Sequence, residues 1–315
     1  RILASAEPLM LDRPGIKTQQ IGELLADFLR RMEDKTPPNY LRWGIRQLDE
    51  VLTAEPGDFI VLGADSSVGK TALAVQLAWN MASRGRRVGF FSLETSARKL
   101  ADRVVAQRAR VELSKIKHKE LTEHDVGDVA AIGAATSRMC FGITEAAGFG
   151  VPELRAVTLA NRYDVIFIDY VQLLKAEGRE RWEIVTRISM ELHTMAQQLG
   201  VAVIALSQLT PPDKTKGARR APSRDDLRES RQLKQDADVI LLMSLDDPED
   251  NDGLRWLAVA NNKDGPLGRI CLKFDAAHME FTATDSRVWH RRAEPKPYEP
   301  KLTPVDDNVQ EVFPL

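Results

Sequence analysis

The tightest constraint in this chain is one nine-residue stretch, Gly63-Ala64-Asp65-Ser66-Ser67-Val68-Gly69-Lys70-Thr71. An apolar run, DFIVLG, leads into it, and an amphipathic run follows. A strand that breaks at glycine and restarts as a helix presents a row of backbone N–H groups, with the helix's positive end aimed at the same point. The spacing G-x-x-x-x-G-K-[ST] adds side-chain chemistry. Lys70 reaches β- and γ-phosphates, and Thr71 offers a hydroxyl to Mg²⁺. ATP and Mg²⁺ are therefore the expected ligands. Gly63, Ser66, Ser67, Val68, Gly69, Lys70, Thr71 and Ala72 are the expected contacts, and the glycines are expected to let the backbone curl around the phosphates.

Such a loop needs a parallel sheet behind it. Further apolar strands are predicted at 87–94, 164–170, 201–208 and 238–244, with helices at 70–83, 96–110, 119–136, 152–162 and 180–199. Strands apolar throughout, alternating with helices, predict an α/β fold with a mostly parallel sheet covered on both faces. After 238 the chain turns strand-rich, with candidates at 254–261, 269–275 and 278–282. Three regions are expected: an N-terminal segment with a helix at 1–39, the ATPase domain at 40–284, and a Pro-rich extended tail at 285–315. In that first helix Ile21, Leu24, Leu25, Phe28, Leu29 and Met32 form one apolar stripe, which must be buried on its own domain or on another subunit.

Strand ends then supply candidate chemistry. V-I-F-I-D places Asp169 where an open α/β sheet binds ligands, as a second holder of the metal. Glu94 closes RVGFFSLE and is the candidate base for the attacking water, the alternative being a cap for the next helix. Gln208 closes IALSQ and is placed to sense the γ-phosphate. Beyond it, residues 213–234 carry eight basic side chains against four acidic ones, in a chain of 315 residues whose net charge is −2. Nucleic-acid binding must therefore use a local patch. Arg219, Arg220, Arg228, Glu229 and Arg231 are its candidates. Residues 98–119 are basic too, but spread along a helix, and read as a solvated face.

Other classes fall away. Two cysteines, Cys140 and Cys271, suggest neither a disulfide framework nor a metal cluster. The longest apolar runs are strand-length, so no membrane span is expected. Arg1-Ile2-Leu3 does not read as a signal peptide, and the expected location is cytoplasmic. The missing initial Met suggests a start inside a longer protein.

Taken in order, GADSSVGKTALA, FFSLE, VIFIDYVQLL, VIALSQL, SRDDLRESRQLKQDADVILLM and NKDGPLG resemble the RecA-like motor domain of bacterial replicative DNA helicases of the DnaB type. The resemblance spans roughly 40–283, and the LRES…QDADVI stretch is its most diagnostic part. It implies a homo-hexameric ring around single-stranded DNA, moving 5′ to 3′ with hydrolysis at subunit interfaces. It also implies a primase and a helicase loader as partners. Lys70 and Thr71 would be the phosphate-loop pair, Glu94 the catalytic glutamate, Asp169 the Walker B aspartate and Gln208 the conserved glutamine. Arg228 and Glu229 would lie in the DNA-holding loop, and the helix at 17–34 would be the linker helix that docks on the next subunit.

Three departures stand out. Arg231 replaces the usual glycine after LRES. The N-terminal domain that contacts primase is not in this sequence, either removed or never present. Where the family has K-x-R before its turn, this chain has Asn261-Asn262-Lys263. Lys263 then becomes the candidate trans-acting finger, with Arg255 or Arg269 as substitutes. The last six residues, QEVFPL, resemble peptides that dock on sliding clamps, against the plainer reading of an unstructured end.

Overall fold

The computed structural model describes residues 20–34, 38–209, 227, 231–246 and 253–290. One nine-stranded sheet organises it, in the order β3-β2-β4-β5-β1-β6-β7-β8-β9. Its six parallel strands are β1 (Phe59–Ala64), β2 (Val88–Ser92), β3 (Phe141–Glu145), β4 (Val165–Asp169), β5 (Ala202–Gln208) and β6 (Val239–Leu245). Three antiparallel strands extend it: β7 (Leu254–Asn262), β8 (Leu267–Asp275) and β9 (Glu280–His290).

In every parallel strand except β3, successive residues feed opposite cores, which is why those strands read as continuous apolar runs. Ile60, Leu62, Phe90, Phe167, Ile204 and Leu241 pack on one face with α3 (Lys70–Ala82). Phe59, Val61, Phe91, Ile168, Val203 and Leu242 pack on the other, with α7 (Val151–Asn161) and α8 (Arg181–Leu199). Apart from Thr71, every residue of α3 is buried, so the helix that starts at the phosphate loop is also the centre of a core.

Helix α1 (Ile21–Glu33) stands differently. None of its residues is buried, and Ile21, Leu25, Leu29 and Met32 are each at least 58% exposed. A short turn, α2 (Arg46–Asp49), precedes β1. Helix α4 (Ala97–Ala109) follows β2. An unexpected short helix, α5 (Leu113–His118), precedes the helix expected over 119–136, which is α6 (Glu123–Thr136). Lys119 ends the first in a left-handed conformation (φ 61°), and a Thr122–Asp125 capping box starts the second.

Strand β3 was not expected. It is short, half-buried and interrupted by Gly142, all of which weaken a strand signal. Gly142 sits beside Gly89 of β2, and a Cβ on either would strike the Tyr163 ring. The two glycines form the slot that this ring fills. Strand β9 runs to His290, past the point where the tail was expected to begin.

Candidate nucleotide and subunit site

The C-terminal edge of the parallel strands collects the side chains that the sequence marked for phosphate chemistry, apart from Lys263. Residues 65–69 leave β1 and turn into α3. Ser67 (φ 66°) and Gly69 (φ 106°) are both left-handed, which turns successive N–H groups toward one side. Gly69 has a second reason to lack a side chain, since its Cβ would lie 2.8 Å from Phe281 Cζ. Ser66 and Ser67 face solvent, whereas Val68 is 4% exposed and anchors the loop in the core. Gly63 takes a different part than expected. It lies inside β1, not in the curl, and a Cβ there would meet Leu242 at 2.9 Å. Packing explains that glycine. Ala72 is buried one turn into α3.

Lys70 is 9% exposed, and its Nζ lies 5.3 Å from the Tyr170 ring centroid. Burial pulls its pKa below the ordinary lysine range, opposed by the carboxylates of Asp169, Glu94 and Asp65. Thr71 Oγ1 donates to Asp169 Oδ2 at 2.8 Å. Burial pushes the Asp169 carboxyl up, against the Thr71 hydrogen bond and the charges of Lys70 and Arg103. A hydroxyl touching a carboxylate at the foot of a phosphate loop is a donor pair that would hold Mg²⁺ together with phosphates and water. Among the described residues no three His, Cys, Asp or Glu converge on an all-protein metal cage. The donor set therefore fits nucleotide-bound Mg²⁺.

Glu94 lies two residues past the end of β2 and is exposed. The first N–H of α4, that of Ala97, donates to Glu145 Oε1 at 2.8 Å and not to Glu94. Gln208 pairs in register with Ala64, beside the root of the loop. Gln172, after β4, holds that spot: its Nε2 donates to Ser207 Oγ (2.8 Å) and to the Gln208 carbonyl (3.1 Å).

Arg103 was missed. In the sequence its helix reads as a solvated face. On α4 it shares a face with buried Leu100 and Gln107, and Gln107 Nε2 donates to the Ala72 carbonyl at 3.1 Å. That docks Arg103 beside the first turn of α3. Burial lowers its pKa, and the opposing charges are those of Asp169 and Glu94. Its four-residue spacing from Gln107 was the available signal.

Lys263 occupies the opposite edge of the sheet. Its N–H donates to the Asp238 carbonyl, level with Phe59 at the start of β1 (3.1 Å), and its Nζ meets Asp238 Oδ1 at 2.6 Å. The length of β1, about 17 Å at strand rise, separates that level from the phosphate loop of the same chain. Asn261 is 9% exposed and its Nδ2 donates to the Ala237 and Asp238 carbonyls, so it faces inward. Asn262 Nδ2 likewise turns back to Val51 and Pro266 carbonyls. Arg255, expected as a substitute finger, is wholly buried in its own chain. The Arg269 guanidinium lies over the Trp256 ring, 4.2 Å from its centroid. Arg219, Arg220, Arg228 and Glu229 lie outside the described residues, as does QEVFPL. Arg231 opens α9 (Arg231–Asp236).

With the geometry in hand, comparison with known proteins is decisive. The family model for the DnaB-like helicase C-terminal domain matches residues 41–283. The chain belongs to this family. It is 32% identical over 254 residues to a probable plasmid replicative DNA helicase of Chlamydia trachomatis, covering 78% of this chain and 55% of that protein. It is 32% identical over 257 residues to the replicative DNA helicase DnaC of Bacillus subtilis, covering 78% and 56%. The chain thus spans about half the length of these curated relatives. Among solved structures, an isolated ATPase domain superposes with TM-score 0.79 at 28% identity, over 85% of this chain and all of that one. A DnaB-like replicative helicase, described together with its interactions with primase, superposes with TM-score 0.75 at 27% identity, over 89% and 70%. The nine-stranded α/β sheet is therefore the RecA-like sheet of DnaB-like helicases. Among the described residues no helix is long and apolar enough to cross a membrane.

Proposed function

We propose that this chain is the motor of a ring-forming replicative DNA helicase, which hydrolyses ATP to move along single-stranded DNA and unwind duplex. The observation that carries this reading is the separation of Lys263 from its own phosphate loop, at opposite edges of one sheet. A hairpin placed there can complete a nucleotide site only on another copy of the chain. In such a ring, Lys70 and the loop N–H groups bind the phosphates, and Thr71 and Asp169 hold Mg²⁺. Bound Mg²⁺ supplies charge neutralisation for the γ-phosphate. Glu94 orients and polarises the attacking water, and Gln208 reports the γ-phosphate to the segment after β5. Arg219, Arg220, Arg228, Glu229 and Arg231 contact the DNA backbone. The exposed apolar stripe of α1 docks on the next subunit of a hexamer. Primase, a loader and a sliding clamp are proposed partners in the cytoplasm, primase on the strength of the structural relative.

Forked-duplex unwinding with DNA-stimulated ATPase, alongside mass in solution with ATP and single-stranded DNA, tests the proposal. ATPase without strand separation would favour a recombinase-like or mediator ATPase. No loss of function in Lys70→Ala would instead support a hydrolysis-weakened assembly scaffold.

A further inference from the structure

Residues 255, 257 and 259 of β7 face one core in alternation, ahead of the bulge that turns Asn261 to the Ile240 side. Leu257 and Val259 fill theirs with apolar side chains, while the same row opens with an arginine at 0% exposure. A buried guanidinium is costly unless its donors are satisfied, so a purely space-filling role would favour another aliphatic residue here. Arg255 Nε donates to the Val68 carbonyl at 3.2 Å, and Nη1 donates to the carbonyls of Gly253 (2.9 Å) and Leu254 (3.4 Å). Its guanidinium lies 5.3 Å from the Phe274 ring centroid, and Phe274 stacks on Phe281 at 4.6 Å. Phe281 is the ring that closes off the space behind Gly69. Its backbone is clamped to α3 by Gln76, which donates to the Phe281 carbonyl (2.7 Å) and accepts from its N–H (2.8 Å).

The bond to Val68 matters because of what shares its peptide plane. In a trans peptide the carbonyl and the following N–H point in opposite directions. Fixing the Val68 carbonyl toward Arg255 therefore fixes the Gly69 N–H away from it, toward the concave side of the loop. Gly69 has no side chain to settle that orientation itself. We propose that Arg255 is a positioning residue for the nucleotide site, holding the Val68–Gly69 peptide from behind so that its N–H is preset toward phosphate and placing a buried positive charge beneath the loop. This rests on reading the loop as an ATP site. It also explains why an arginine too buried to act as a finger stands in this hairpin. One strand carries Arg255 at the phosphate edge and leads to Lys263 roughly 26 Å away at the other.

The test is Mg²⁺–mant-ADP binding to the full chain, at a temperature where each variant is folded by circular dichroism. Arg255→Met is expected to weaken binding about tenfold, the effect of one charge-assisted hydrogen bond. Phe274→Leu loosens the same packing but leaves the Val68 carbonyl bonded, and is expected to bind within about twofold of wild type. Should Arg255→Met not fold, Arg255→Lys takes its place, with an expected loss of about threefold. Wild-type affinity in the Arg255 variant, or an equal loss in Phe274→Leu, overturns the inference. Failure of the unaltered chain to bind mant-ADP would instead overturn the ATP-site reading, and this inference with it.

Discussion

The two edges of the sheet are built to different standards. At the phosphate edge, Lys70 and Asp169 are buried and Thr71 is hydrogen-bonded to Asp169, with carboxylates and cationic groups in mutual compensation. At the hairpin edge, Asn261 and Asn262 turn inward, and Lys263 rests on Asp238. That edge is also acidic. The Asp58 carboxyl is pushed up by burial and by Asp238, Glu55 and Asp264. A site half that can be completed within one chain is preassembled. The half proposed to act between chains offers Lys263, which is paired with Asp238 in its own chain. On the proposed trans role of Lys263, catalysis would depend on how fully a neighbour competes with Asp238 for it.

Breaking the preassembled half should cost most. Glu94→Gln keeps the shape but cannot take a proton, so DNA-stimulated turnover should fall by about 10²–10⁴ with nucleotide binding retained. A loss below tenfold would move the base elsewhere. Arg103→Ala should lower turnover by about 10²–10³, the usual effect of removing one donor to developing charge. Single-turnover hydrolysis at saturating ATP separates this from weakened binding. An effect confined to KM would limit Arg103 to the ground state.

Breaking the other half should cost less. A trans-acting arginine is worth about 10³–10⁵ in rate, but lysine lacks the planar fork and this one is paired. Lys263→Ala is therefore expected to slow ATPase only about tenfold to a hundredfold, and only under conditions that support assembly. Asp238→Asn sharpens the point. It keeps an acceptor for the Phe59 N–H, now bonded at 2.8 Å, while removing the charge that holds Lys263. Turnover should rise in that variant. If Lys263→Ala changes nothing and Asp238→Asn changes nothing, the hairpin is only a hairpin.

The same contrast governs what could be read from the sequence. Lys70, Thr71, Asp169 and Gln208 announce themselves because each ends or follows an apolar strand, and parallel strands deliver their ends to one edge. Strand β3 and Arg103 were hidden for opposite reasons. The strand lacks apolar weight because Gly142 makes room for Tyr163. The arginine sits in a basic helix whose docked face becomes visible only when Gln107 meets Ala72. Arg255 and Asn261 show the same limit. Their numbers place them in a hairpin, but only the burial pattern of β7 shows that both face inward. Side-chain direction on a strand follows from register, and register here is set by a bulge between Ile240 and Leu241 that no local pattern announces.

The smallest expected effect is one of pH, and it probes the phosphate edge alone. Asp169 has a folded pKa raised above 3.8, chiefly by burial. Its contribution to stability is thus fully present below the unfolded value and lost as pH rises through the folded one. Ionising this buried carboxyl costs free energy, and a bound divalent cation would relieve that cost. The rise in melting midpoint given by ADP with Mg²⁺ should therefore begin to shrink, as pH falls, above the range where an ordinary aspartate protonates. Asp169→Asn should lose the Mg²⁺-dependent part of that rise while melting no lower than wild type without ligand at neutral pH. A rise that stays constant down to the ordinary carboxylate range would mean that Asp169 does not hold the metal, and that the Thr71–Asp169 bond only fixes the start of α3.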